Sequence, residues 1–463
     1  MTDIAPAYTG QSDRAGGKGG GPTPFVNAFS NPTIGSLRYN TSQAGSPVFI
    51  CYGTQRVSIN LLEFWNFVSH SSSNSSTGGK GLGADSGKKG SQQNSVDVAF
   101  GICQGPVGFT GAIYGSGGYN RIWSNGGIAD GLGAVGLNGY AGSDGQSPDP
   151  VFASSDPNQP VIGYSGTCYV TGTPLNLGSS AALPDISFEI TGFEAGTAGP
   201  GFPDDARPDL LVTDLLTNAR YGAGFPAANL DISGSLADWG NYCQAAQLAM
   251  SLLLDKQQPA ARWLEEIAEL TVSAVVWSGT LLKIIPYGDQ ALGANGASWA
   301  PNLTWQYSLG DGDFLSWSGG GGDGSTDPVV LTRSDPSQAT NWLSVEYMDA
   351  GNSYNPQIIA AFDQATIDAY GLRTEPSIQA HEFTNPTSAA VSAQLMLQRR
   401  LYVRNTYKFK LGVRYALLEP MDIVLISDAT LGLSAAAVRI TQIEEDDNGE
   451  LTVTAEEIPG VTP

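Results

Sequence analysis

The sequence predicts a mixed, mainly β protein in which two strand-rich blocks flank an α/β middle. Three observations carry this. Charged residues are only 14% of the 463, alongside 59 glycines, a composition of loop-rich β proteins with sparsely charged surfaces. Short β-branched and aromatic runs dominate residues 33–200 and return in 371–463. Between them, from Pro208, apolar residues recur at helical spacing instead.

Taken in order, residues 1–32 read as a flexible arm, polar and glycine-rich, without the apolar core of a secretory signal. Residues 33–200 read as the first β-rich unit. Its strands are "PVFICYG", "RVSINLLEFWNF", "VDVAFGICQ", "GTCYVTGTPLNL" and "DISFEITGF". A Ser/Gly insertion at 70–95 has too little apolar content to pack and reads as a mobile hairpin tip. A second glycine-rich stretch, Gly126 to Asp156, reads as loop, and "EAGTAGPGFPDDARP" reads as a linker.

Residues 201–370 read as the α/β middle. One helix is expected from Pro208, with Val212, Leu215, Leu216 and Ala219 on its buried face and Gly222 as its stop. A longer helix is expected over Leu236–Leu254, with Trp239, Cys243, Ala246 and Met250 on one stripe. In "WLEEIAELTVSAVVWSGTLLKIIPYG", 263–288, residues Leu264, Ile267, Ala268 and Thr271 make one buried helical face. Glu265, Glu266 and Glu269 share the opposite face, with Arg262 four residues before Glu266. Trp277 then lies on a strand that returns after Ser278-Gly279. Residues 371–463 read as a last β-barrel unit preceded by a helix. Pro386 opens that helix, and Arg399, Arg400 and Arg404 suit its negative end. Tyr407, Phe409, Leu411, Val413 and Tyr415 alternate with polar residues, "PMDIVLISD" supplies another strand, and Asn448-Gly449 marks a hairpin.

The net charge of −22 argues against a ligand gripped through its phosphates. It is uneven: residues 1–100 carry seven Lys/Arg against five Asp/Glu, a net of +2, which leaves −24 for the rest. Cys51, Cys103, Cys168 and Cys243 lie 52, 65 and 75 residues apart, with no Cys/His cluster, so buried thiols are expected rather than a metal site. The apolar stretch Ala245–Leu254, broken by Gln247 and Ser251, is too short for a membrane span, and a soluble protein made in the cytoplasm is expected.

Three glutamates and two tryptophans near 263–277 raise the question of a cleft that cuts sugars. That chemistry needs two carboxylates about 5–10 Å apart across the substrate, and neighbours on one helix face do not give it. "GLGAVG", Gly131–Gly136, matches a dinucleotide fingerprint by letter only, its flanks reading as loop. His70 and His381 are the only imidazoles, with no GxSxG elbow, and the acids of Asp311–Asp323 miss the calcium-loop spacing. Asp311, Asp313 and Glu346 are the acids from separate segments that an opposed pair could draw on. No catalytic, cofactor-binding or metal-binding residue is assigned, and no enzyme or cofactor is expected.

Six stretches, in order, resemble one family. "GSLRYNTSQAGSPVFICYGTQRVSINLLEFWNF", "DVAFGICQGPVGFTGAIYGSGGYNRIWSNG" and "GYSGTCYVTGTPLNLGSSAALPDISFEITGF" are similar to the opening domain of tail-tip hub proteins of long-tailed phages. These are of the host-specificity J type, with relatives in prophages and gene transfer agents. "VTDLLTNARYGAGFP" with 263–288 resembles the middle domains of that family. "YNPQIIAAFDQATIDAYGL" with "LMLQRRLYVRNTYKFKLGVRYALLEPMDIVLISD", and "VRITQIEEDDNGELTVTAEEIPG", resemble its last hub domain.

The resemblance implies a trimeric hub at the tail tip or baseplate, assembled in the host cytoplasm. In it the first and last β-barrel domains of three chains form a ring that caps and continues the tail tube. The implied partners are the distal tail and tube proteins, the tape-measure protein and tip fibres or receptor-binding proteins, with genomic DNA passing through unbound and the host surface met indirectly. Many relatives continue past the last hub domain, whereas this sequence stops at Pro463, so a scaffold role is expected over direct receptor binding. The alternatives are a tail-associated glycan or peptidoglycan hydrolase, or a receptor-binding module suggested by nine tryptophans and eighteen tyrosines.

Overall fold

The structure, a computed structural model, describes residues 47–71, 92–108, 121–129, 131–151, 162–317 and 327–460. The expected arm at 1–32 and most of the Ser/Gly insertion lie outside these residues.

Two four-stranded sheets make the first unit. One runs Thr54–Ser58, Ile186–Thr191, Ile122–Ser124, Gly127–Ala129; the other runs Asn60–Ser71, Gln92–Gln104, Thr167–Gly178, Asn138–Tyr140. Alternation decides the packing: Val96, Val98, Phe100 and Ile102 turn inward from one sheet and meet Val57, Ile122, Phe188 and Ile190 from the other. The strands either side of the Ser/Gly insertion are antiparallel partners as far as Ser71 opposite Gln92. All four cysteines are buried free thiols, and Cys103 faces Cys168 across the ladder. The stretch Gly126–Asp156, expected as loop, holds the strands Gly127–Ala129 and Asn138–Tyr140 and the helical turn Leu132–Val135. Those short strands form because longer neighbours offer them an edge, a signal absent from local composition.

The middle is built on the helices Pro208–Thr217, Ala237–Ala245, Ala260–Leu270 and Pro386–Tyr402, which share one core with Leu216, Trp239, Tyr242, Ile267 and Leu397. Ala260–Leu270 behaves as its spacing predicts, burying Leu264, Ile267 and Ala268 and pairing Arg262 with Glu266 at 3.2 Å. The helix expected over Leu236–Leu254 stops at Ala245. Beyond it Gln247 turns left-handed (φ 63°), Met250 bridges Ala206, and Leu253–Leu254 pairs with Ile50–Cys51. Backbone bonds to distant segments outcompete the helix there. The expected linker is packed, with Ala198, Phe202, Asp205 and Ala206 buried.

Trp342–Asp349 lies between Asn355–Phe362 and Ile378–Gln379 in a three-stranded sheet, against which Pro386–Tyr402 packs.

The last sheet has seven strands on an open path: Trp305–Leu309, Ile423–Asp428, Leu433–Glu445, Leu451–Glu457, Asn405–Leu411, with Phe314–Leu315 and Val329–Arg333 both against the last of these. It takes in three strands that sequence order groups with the middle. Its core holds Phe314, Tyr407, Phe409, Leu411, Ile426 and Val453. The alternation read through Tyr415 ends at Leu411; Val413–Tyr415 is a single 3-10 turn, which leaves Val413 69% exposed and returns Tyr415 to the core. Gly449 closes the expected hairpin at φ 75°. Among the described residues no helix is long and apolar enough to cross a membrane.

Candidate functional site

The three units meet at polar seams, and these are where the chemistry of the molecule concentrates. A cavity of about 640 Å³ opens at one of them, lined by Arg56 and Ser187 of the first unit, by Trp263, Glu266 and Glu269 of the helix Ala260–Leu270, and by Glu382. Beneath it Ser251 ties the units together. Its amide donates to the Glu382 carbonyl at 2.7 Å, and its own carbonyl accepts from Gln55 Nε2 at 2.6 Å. Gln55 Nε2 also donates to the His381 carbonyl at 3.1 Å. The Ser251 hydroxyl donates to Asp205 at 2.6 Å, and Thr384 donates to the same oxygen at 3.0 Å. Burial pushes the Asp205 carboxyl up, against the pull of these two donors.

Glu382 is the outlier. Its Oε2 is buried with no hydrogen-bond donor. Burial foremost pushes its pKa up to about 7, with the facing Glu266 adding to it, against a hydrogen bond from its own backbone amide and the attraction of His381 and Lys256. The letters "AHEF" give no sign of this, because the environment comes from three distant segments.

A second seam joins the first unit to the three-stranded sheet. Arg121 pairs with Glu189 at 2.6 Å and donates to the Ala350 carbonyl at 2.8 Å. Tyr354 donates to Glu189 at 2.9 Å, and Arg56 stacks 4.4 Å from the Trp123 ring centre. A third seam joins the middle to the last sheet. Arg399 grips Glu456 through two bonds of 2.9 and 2.6 Å and lies 3.5 Å over Tyr287. The buried Arg439 donates to the Tyr287 carbonyl at 2.5 Å.

The residues singled out from sequence scatter across these features. Glu266, Glu269 and His381 reach the cavity, with His381 bonded to Glu346 at 2.8 Å on the central strand Trp342–Asp349. Glu265 faces solvent, and Trp277 is 56% exposed beside Phe225. Asp311 and Asp313 sit far along the chain in a turn of the last sheet. Asp313 accepts from Tyr415 at 2.5 Å and from the Gly310 amide, contacts that hold it below the usual carboxylate range. His70 is exposed on its strand. Gly131–Gly136 spans one helical turn after a three-residue strand, which is no dinucleotide-binding unit. Glu266 and Glu382 both line the cavity, with Oε2 of Glu382 buried. Among the described residues no three His, Cys, Asp or Glu are grouped to hold a metal ion.

Residues 259–443 match a family described as "Putative phage tail protein". The fold is similar to that of a chain in the virion of a native gene transfer agent particle, with a TM-score of 0.57 and 16% identity over 95% of this chain and 91% of that one. A 43 kDa tail protein of prophage MuSo2 from Shewanella oneidensis matches at a TM-score of 0.30 and 11% identity, covering 88% of this chain and 99% of that one. A prophage tail protein from Listeria monocytogenes matches at a TM-score of 0.30 and 12% identity, over 79% and 84% of the two chains. No curated protein matches the sequence. Residues 259–443 are thus similar to a phage tail family, and the mainly β, multi-unit fold as a whole is similar to that of a chain in a gene-transfer-agent virion.

Proposed function

We propose that this protein is the central hub of a tail tip or baseplate. Three copies form a ring that caps and continues the tail tube, anchors tip fibres or receptor-binding proteins, and leaves a channel for DNA. The observation that carries this reading is the arrangement of β units: one at each end of the chain, both packed on a single helical core, the last a seven-stranded sheet on an open path among the described residues. The acidity of residues 101–463 fits a channel wall that repels DNA. A hydrolase would need two carboxylates opposed across a substrate, and in the cavity Glu266 and Glu269 are neighbours on one helix while Glu382 has an oxygen buried without a donor.

Density of the particle tip tests the proposal. Three copies whose first and last β units line one channel support it; a single copy, or terminal units sharing no channel wall, sinks it.

A further inference from the structure

We propose that Glu382 is a proton-operated latch on the joint between the first β unit and the middle, closed when its carboxyl is neutral and loosened when it is ionised. The inference rests on this joint alone and not on the hub reading. Three observations converge on it. Glu382 is 9% exposed, and its Oε2 meets no donor. Its backbone carbonyl accepts from Ser251, whose carbonyl is gripped by Gln55, so the residue sits where the strand Thr54–Ser58, the segment before Leu253–Leu254 and the chain entering Pro386–Tyr402 converge. A cavity of about 640 Å³ borders it, which gives an ionised carboxylate somewhere to go.

The surrounding charges do not compensate. From the helix Ala260–Leu270, Glu266 faces Glu382 and repels it, and Arg262 is already paired with Glu265 and Glu266. Glu269 lines the same cavity, as do Asp185, Asp255 and Arg56, and the Arg56 guanidinium is held by Ser187 and the Ser353 carbonyl. Lys256 attracts Glu382 but makes no hydrogen bond to it, and His381 is turned to Glu346. Behind Ser251, Asp205 is a second buried carboxyl, satisfied by two hydroxyls. A charge on Oε2 of Glu382 therefore lacks a donor in the closed joint, where only the residue's own amide serves the carboxylate, and turning residue 382 toward the cavity to solvate that charge would loosen the backbone bond Ser251 makes to it.

The direction follows from linkage. The closed joint holds the proton to about pH 7, whereas an opened joint releases it near the ordinary value of 4.5. Closure is strongest below the lower figure and is lost as pH rises through the higher one, beyond which it levels off.

Hydrogen exchange of the Ser251 amide in the full chain, corrected for intrinsic rates, tests this. Protection should fall by up to about tenfold per pH unit between pH 5 and 7 and then flatten. In Glu382→Gln it should stay flat, while the Phe409 amide of the last sheet keeps its protection in both proteins. In Glu266→Gln, which removes the facing charge and so lowers the Glu382 pKa in the closed joint, the fall should end at lower pH and be smaller in total, leaving more protection at pH 7 than in the natural protein. The same fall in Glu382→Gln as in the natural protein, or no fall in the natural protein, overturns the latch.

Discussion

At Glu189 one carboxylate serves three donors from two units: Arg121 through its guanidinium, the Arg121 amide at 2.9 Å, and the Tyr354 hydroxyl. Its side chain is 12% exposed and that of Arg121 30%, so solvent screens the pair only in part. Replacing the carboxylate by an amide removes the charge and turns one oxygen into a donor facing other donors. Glu189→Gln should therefore destabilise the protein by about 2 kcal/mol, the scale of a hydrogen bond to a charged group. A lowered denaturation midpoint in urea, with the far-ultraviolet dichroism of the native state unchanged, is the expected reading. An unshifted midpoint would mean that the seam contributes nothing to stability.

At the scale of elements, what the sequence made legible depended on whether an element's partners were local. The helix Ala260–Leu270 and its following hairpin were readable because every cue lies within residues 260–286: the apolar spacing of Leu264, Ile267 and Ala268, the Arg262–Glu266 pair, and the turn at Gly279. The segment after Ala245 was not, because Met250 and Leu253–Leu254 take distant strands as partners in place of their own helical turn. The cavity was half legible. Glu266 and His381 stood out in the sequence, but the concealment of Glu382 arises only where three segments close on it. Gly53 shows how tight that closure is. It has φ 66°, and a Cβ there would run into the Ser251 hydroxyl and lie 2.9 Å from the Met250 carbonyl. Gly53→Ala combines a left-handed backbone with an overpacked joint, a cost of about 3 kcal/mol. Thermal unfolding should shift down accordingly, whereas Gly279→Ala, with open space around its Cβ, should lose no more than the backbone share.

For the whole molecule the governing quantity is charge. Each copy carries −22, so bringing three copies together concentrates like charge, while the sheet edges and apolar surface that would join them are insensitive to salt. Exposed Val413 and Leu417 on the last unit, and Ile358 and Phe362 on the edge strand Asn355–Phe362, are apolar surface of this kind. The Debye length falls from about 14 Å at 50 mM salt to about 4 Å at 500 mM, which removes most repulsion between surface charges. If the hub reading holds and the copies meet through apolar and strand-edge contacts, the trimeric fraction in sedimentation should rise with salt at fixed protein concentration. A contact built on opposite charges would dissociate instead. A chain that stays monomeric at both salt concentrations, at concentrations well into the micromolar range, would leave ring formation dependent on other tail proteins and would remove self-association from the proposal.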